Sequence, residues 1–478
     1  MRSSIRATTR HWFLWRNIVL AGAITAAFLG SPILCPNGRG LAAELGAGKG
    51  NLALSLETAV SLAERNNETL LMALEDERQA GGVVREAWAG ALPSLRLEGT
   101  YQRNFKKPVF FITSDSTTTK LEIGGDIETQ GRLRLDQVLY AFGRVGNAVK
   151  FAGIYRNIAS LGVENARSQV VFAAQEAYYR VLLMDKVAGI QRQSLVQAQS
   201  HLKDVEDKYA QGTASRFDLL RAQVEVKNRE PGVIEAENNL ALSIEDLKRV
   251  VGLDRDAEPF LTDSLTYEPI EVGEDDAIAE AMAHRPELLS LMLNVQGRKK
   301  ILAIEKAGMF PMLGLYGEID LQGQSAKDDL LGSFDKGNRA ISSSVGLALS
   351  VPIFDGLKTR GRVTQAKAAL KHAGYELEQA RKGIRLEVSK AVRDLGSLKQ
   401  EHESQVATVG LAEEAYKIAE ARFRSGLSTQ LELTDVQMAL DFARTNFAQT
   451  LYEYNVAAAN LERVLGRTSG SPAETEHK

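Results

Sequence analysis

From Leu121 to Tyr140 the chain reads LEIGGDIETQGRLRLDQVLY. Its odd positions carry Leu121, Ile123, Ile127, Leu133, Leu135 and Leu139, interrupted by Gly125, Thr129, Gly131 and Gln137. The even positions include Glu122, Asp126, Glu128, Arg132, Arg134 and Asp136. A period of two is that of a strand, because successive side chains point to opposite faces. Residues 121–140 therefore read as one long strand with an apolar and a charged face. A soluble sheet can be amphipathic too, but its strands average about 5–6 residues. Strands of about 10 residues with this pattern fit a membrane barrel around a wet lumen. The charges of Glu122, Asp126, Glu128, Arg132 and Arg134 then face that lumen.

Companion strands lie on either side. Residues 95–105 alternate Leu95, Leu97, Gly99, Tyr101 and Phe105 with polar neighbours, Arg103 being the exception. Residues 312–322 and 340–354 repeat the pattern with Leu313, Leu315 and Ile319, then Ile341, Val345, Leu347 and Leu349. Four strands cannot close a barrel, for which about eight is the practical minimum. Several chains must contribute, and three would supply twelve strands.

The chain is written twice. Leu139-Tyr140 matches Ile353-Phe354, Tyr209-Ala210-Gln211-Gly212 matches Phe423-Arg424-Ser425-Gly426, and Leu247-x-Arg249-Val250-Val251-Gly252 matches Leu461-x-Arg463-Val464-Leu465-Gly466, all at one offset of 214. Leu92-Pro93-Ser94-Leu95 and Phe310-Pro311-Met312-Leu313 match as well. Each half runs helix, two strands, a very long helix, a break and a shorter helix. The first repeat spans 44–253 and the second 276–467, joined by an acidic linker, 254–275, that carries Pro259 and Pro269.

The long helices are expected over 143–209 and 357–423, each on the order of 100 Å at 1.5 Å per residue. Val363, Leu370, Leu377, Ile384, Ala391 and Leu398 recur every seventh residue, with Ala366, Ala373 and Ala380 between them. That is a heptad seam with small residues in one register, which allows close helix approach. The shorter helices, 215–251 and 429–465, return alongside. Opening helices near Ser55–Ala89 and Asp276–Lys306 are placed to stack end to end with them.

Composition supports this reading. In 478 residues, 58 Lys and Arg stand against 61 Asp and Glu, so no basic surplus points to nucleic acid. Arg2, Arg6, Arg10 and Arg16 precede an apolar run from Ile18 to Leu34, followed by small residues at Gly40, Ala42 and Ala43. Residues 1–43 read as a secretory signal peptide, the alternative being an uncleaved anchor helix, for which a 17-residue run interrupted by Gly22, Gly30 and Pro32 is short. Cys35 is the single cysteine, and Leu34 before it is not the small residue that a lipoprotein signal needs. A mature chain without cysteine excludes disulfides and thiol catalysis. Residues 468–478 read as a flexible tail.

Enzyme chemistry finds little support. Gly46-x-Gly48-Lys49-Gly50 lacks the spacing of a phosphate loop and follows no strand. His201, His284, His372, His402 and His477 are scattered without metal-ligand spacing. No cofactor or catalytic cluster is expected.

The helix breaks carry more design. In Tyr209-x-x-Gly212-x-x-Ser215-x-x-Asp218 and Phe423-x-x-Gly426-x-x-Thr429-x-x-Glu432, glycine ends the long helix and Ser or Thr caps the next. An acid three residues on closes a capping box. Capping does not account for Asp435, one turn beyond Glu432 on the same face.

Twofold repetition, these tips, the strand ends Leu139-Tyr140-x-Phe142-Gly143 and Pro352-Ile353-Phe354-Asp355-Gly356, and the leader together resemble the TolC family of outer-membrane efflux and secretion channels, over residues 52–467. The resemblance implies an α+β membrane protein. A homotrimer forms a 12-stranded β-barrel, four strands per chain, in the outer membrane of a Gram-negative cell, continuing into a long α-helical periplasmic barrel. It further implies a passive duct serving a tripartite efflux pump or type I secretion system, with a periplasmic adaptor (a membrane fusion protein) and an inner-membrane pump or ABC transporter as partners. The family's Asp-x-x-Asp constriction falls on Glu432 and Asp435, the first acid being Glu here. The tip turns, with Gly212, Gly426, Asp218, Phe423 and Ser428, would dock the adaptor. Asp218 matches an Asp that holds the family's best-known entrance closed by bonds to a Tyr and an Arg. Those positions are Phe423 and Ser428 here, which cannot make such bonds, so closure must use other contacts such as Arg422 or Arg424. The competing reading is a soluble periplasmic coiled-coil adaptor or scaffold, released without detergent.

Overall fold

A computed structural model describes residues 51–114, 117–325, 333, 335, 337 and 339–467. The expected leader with Cys35, the Gly46–Gly50 segment, His477 and the expected tail lie outside the described residues. In chain order the elements are β1 (Asn51–Leu54), α1 (Leu56–Asn66), α2 (Glu68–Ala89), β2 (Ser94–Arg103), β3 (Val109–Ser114), β4 (Thr117–Glu122), β5 (Ile127–Tyr140), α3 (Arg144–Ala210), α4 (Arg216–Val251), β6 (Glu258–Leu261), α5 (Glu274–His284), α6 (Pro286–Ala307), β7 (Met312–Ser325), β8 (Arg339–Ser350), α7 (Lys358–Arg424) and α8 (Gln430–Leu465).

The main sheet is antiparallel in the order β2-β5-β7-β8. Its central seam joins the two repeats: β5 pairs with β7 from Ile127↔Ser325 to Tyr140↔Leu313, with a bulge between Val138 and Tyr140. Strands β2 and β8 are edges. Rows such as Leu97↔Leu133↔Ile319 place the apolar residues on one face, and Glu98↔Arg132↔Asp320 place charges on the other. The apolar face is bare in this single chain, Leu97 being 79% and Val345 78% exposed.

The stretch read as one strand over 121–140 is divided. Gly124 takes φ +103°, and β4 turns back to pair with β3 in a separate hairpin, Phe110 opposite Leu121. Alternation continued across the break, so periodicity alone could not reveal it. Helices α1 and α2, expected as one, part at Asn67. Its side chain accepts from Thr69 N at 2.9 Å and donates to the Val250 carbonyl at 2.9 Å. The second-repeat counterpart parts at Arg285, where Pro286 disfavours helical geometry in the residue before it. Part of the expected linker is ordered, since β6 pairs in parallel with β1.

At each break the returning helix arrives end-on. Gly252, just past α4, packs against Asn66, and Gly466, just past α8, packs against His284 and Arg285. So α2 continues the α4 column and α6 the α8 column. Helix α3 packs on α4, α2, α6 and α8, and α7 packs on α6 and α8. The four columns therefore stand in the strand order: α4/α2, α3, α8/α6, α7.

The heptad reading explains which face is buried. In α7, Val363, Ala366, Ala373, Ile384, Val388, Ala391 and Leu395 are buried at three-, four- and seven-residue spacings. Two cores result, one around Tyr178, Val181, Leu247 and Val251, the other around Leu288, Val388, Tyr454 and Leu465. The strand-to-helix joints are also twinned. Phe142 and Gly143 take φ 49° and 78° before α3, and Gly356 and Leu357 take 67° and 69° before α7. Each joint holds one glycine and one residue for which the left-handed region is strained.

Candidate functional site

The tips where the long helices reverse gather most of the residues singled out above. Gly212 and Gly426 take φ +73° and +74°, a conformation glycine adopts without penalty. Thr213 N donates to the Lys208 carbonyl at 2.9 Å and Leu427 N to the Arg422 carbonyl at 2.9 Å, which satisfies carbonyls left over at the helix ends.

The two caps then differ. Ser215 and Asp218 close a full capping box: Asp218 N donates to Ser215 Oγ at 3.2 Å and Ser215 N to Asp218 Oδ2 at 3.1 Å. Bonds from the Ser215 side chain and backbone hold the Asp218 carboxyl below its ordinary range. In the second tip Glu432 N donates to Thr429 Oγ1 at 3.3 Å, but the Glu432 carboxylate does not return to the cap. It lies 3.9 Å from Arg422 and is 48% exposed. The expected reciprocal box is therefore half formed, and the Glu432 carboxylate turns to Arg422 instead. Asp435 is exposed one turn along. Ser428 Oγ donates to the Thr429 carbonyl at 3.3 Å.

Phe423 crosses to the other repeat. Its ring meets His201 edge-on at 4.6 Å between centroids, and Lys208 Nζ lies 4.3 Å above it. Lys208 Nζ also donates to the Phe423 carbonyl at 3.4 Å. Burial pushes the His201 imidazole below its ordinary range, and His201 Nε2 is buried without a partner. In the sequence His201 is one of several histidines without metal-ligand spacing, and no motif there marks it as a tip residue. The only available signal was its place two turns before the tip, on the face carrying Lys208. Arg422 does reach Glu432, whereas Arg424 pairs with Glu420 of its own helix at 2.8 Å.

At the opposite end, Arg132 and Arg134 lie on the polar face of β5. Arg132 contacts Asp320 at 3.0 Å and Glu318 at 3.2 Å, and Arg134 contacts Asp136 at 3.0 Å and Glu318 at 3.3 Å. Glu128 accepts from Asn104 Nδ2 at 3.0 Å. Glu122 and Asp126 are not part of this row. Glu122 ends β4 in the separate hairpin, and Asp126 sits in the bend, paired with Lys107 at 3.0 Å. Among the described residues no cluster is placed to hold a metal ion, and no helix is long and apolar enough to cross a membrane.

An amphipathic sheet at one end of helices on the order of 100 Å long, with glycine-turned polar tips at the other, defines a membrane-embedded duct rather than a soluble scaffold. The chain belongs to the outer membrane efflux protein family, which it matches over residues 59–253 and 277–467. Among its relatives, the outer membrane protein OprJ of Pseudomonas aeruginosa is 25% identical over 86% of this chain and 84% of its own. The alkaline protease secretion protein AprF of the same organism is 26% identical over 87% and 85%. The crystal structure of the outer membrane protein VceC from Vibrio cholerae superposes with a TM-score of 0.70 at 18% identity, covering 86% of this chain and 96% of that one.

Proposed function

We propose that three copies close edge to edge into one continuous tube: a 12-stranded barrel in the outer membrane above a periplasmic helical barrel. The observation that carries this is the shared lateral order of strands and helical columns. The open edges stack on the same two sides, β2 with α2 and α4, β8 with α7. An exposed strand edge invites pairing, and β8 against the next copy's β2 would satisfy both edges. Exposed apolar residues along α4 (Val224, Ile234, Leu242) and α7 (Tyr375, Leu386, Leu411) would be covered by the same closure.

In that ring Glu432 and Asp435 form two acidic tiers at the narrow periplasmic mouth, which attract cations and oppose anions. The duct is passive; a periplasmic adaptor docked at the tip turns couples it to an inner-membrane pump or ABC transporter that supplies the energy. Residues 1–43 serve as an export signal that is cleaved. Planar-bilayer recording tests the mouth: Glu432→Ala with Asp435→Ala raises conductance and lowers cation preference. Unchanged selectivity in the double variant would refute the acidic tiers.

A further inference from the structure

Well above the tips, three of the four lower helices meet in a buried polar cluster. Arg229 of α4 donates through Nη1 to Asp441 Oδ2 of α8 at 2.9 Å and through Nε to Glu225 at 2.7 Å. Ser194 of α3 donates to the same Asp441 oxygen at 2.6 Å. Gln437, one turn before Asp441, reaches the Ser194 carbonyl at 3.4 Å and Gln197 at 3.0 Å. The Arg229 and Asp441 side chains are 13% and 15% exposed, and Ser194 is 1% exposed. Tyr416 of α7 faces this charge as well, its phenol pushed up by burial with Glu420 and Asp441 adding to the effect. A buried ion pair is a poor source of net stability; its use is to fix which groups lie opposite each other, and removing one partner strands the other's charge.

Directly above Arg229 the helix is weak. Pro231 lies inside α4, where it lacks the N–H of a helical bond and its ring crowds the preceding turn. Gly232 follows, with Gln191 as its near neighbour. The corresponding residues of α8, at the repeat offset, are Thr445 and Asn446, and neither interrupts the helix. The repeats are therefore unequal: α4 stays helical through Pro231 but lacks a backbone donor there, whereas α8 has no such weak point at the matching position. The cluster spans the first-repeat helix pair and α8 of the second, so α4 cannot bend there while it holds.

We propose that Arg229, Asp441 and Ser194 form a positioning clasp that sets the width of the entrance, with Pro231–Gly232 as the bend about which the tip half of α4 swings when the clasp lets go. The clasp rests on the duct reading, and wild-type conductance reports on that reading separately. In planar bilayers with the full-length protein, Asp441→Asn raises single-channel conductance by about twofold or more, as expected where a constriction limits the current. The charge exchange Arg229→Asp with Asp441→Arg brings it back toward wild type. Adding Pro231→Ala to Asp441→Asn stiffens α4 and reduces the gain, which loss of packing alone would not do. Ser194→Ala, a loss of one hydroxyl, carries the test if Asp441→Asn does not fold by circular dichroism. A conducting wild type beside Asp441→Asn and Ser194→Ala channels of the same conductance would overturn the clasp and leave the duct intact.

Discussion

His201 shows how one buried side chain makes the tip sensitive to acid. Burial and Lys208 push its imidazole down, with Asp204 and Glu225 opposing. A folded-state pKa below the unfolded one means that protonation favours the undocked tip. The stabilisation is complete above about pH 6.5 and is lost as pH falls from there toward the folded value. Tryptic cleavage at Lys208 or Arg422 should therefore quicken on acidification below that point, and His201→Phe should flatten the profile. A wild-type cleavage rate independent of pH across this window would remove His201 from the tip's stability. Phe423 makes sense beside this imidazole: a ring without a hydroxyl can pack on His201 and take Lys208 on its face.

Among the elements, the twin caps are the sharpest comparison. Ser215→Ala removes the acceptor for Asp218 N and should destabilise the α4 end by about 1 kcal/mol, measured as a shift in thermal unfolding or in amide exchange at the tip. Its contribution carries a pH signature. The Asp218 carboxyl titrates below its ordinary range, so the box is intact above about pH 4 and is lost as pH falls through the folded value. Thr429→Ala should show no such signature, because Glu432 does not close its box; an equal acid dependence in both variants would contradict the asymmetry. The elements that were legible are those whose period persists: the two 67-residue helices lie within a residue of their expected bounds, because heptads and a glycine stop leave little latitude. What was hidden has equally physical reasons. The β3–β4 hairpin keeps the alternation of its neighbour, so the period does not mark the turn at Gly124, and the Gly124-Gly125 pair is the one local sign of it. The break between α1 and α2 is capped locally by Asn67, but its tie to Val250 comes from the other end of the repeat. The Arg229–Asp441 pair joins residues 212 positions apart, and no local signal connects them.

For the whole molecule, the two faces of the sheet should respond oppositely to charge. Val345 and Ser344 are neighbours on β8, one on the apolar face and one on the polar face. Val345→Arg at a lipid-facing position should cost about 2–4 kcal/mol if it lies near the midplane, whereas Ser344→Arg faces the lumen and should cost far less. Urea unfolding in lipid vesicles, followed by the heat-modifiable gel shift, measures both. Equal tolerance would deny the sheet a lipid face. The β5–β7 seam carries a wider consequence. Inside one chain, the second strand of the first repeat lies against the first strand of the next. In the proposed ring, β8 meeting β2 between copies would be the same kind of joint. The repeating unit of such a tube would then be the half-chain, each polypeptide a tandem fusion of two wedges that already contains one copy of the junction it is proposed to make with its neighbours. Assembly would then need no second kind of interface, and the angle built into that internal joint would decide how many chains complete the circle.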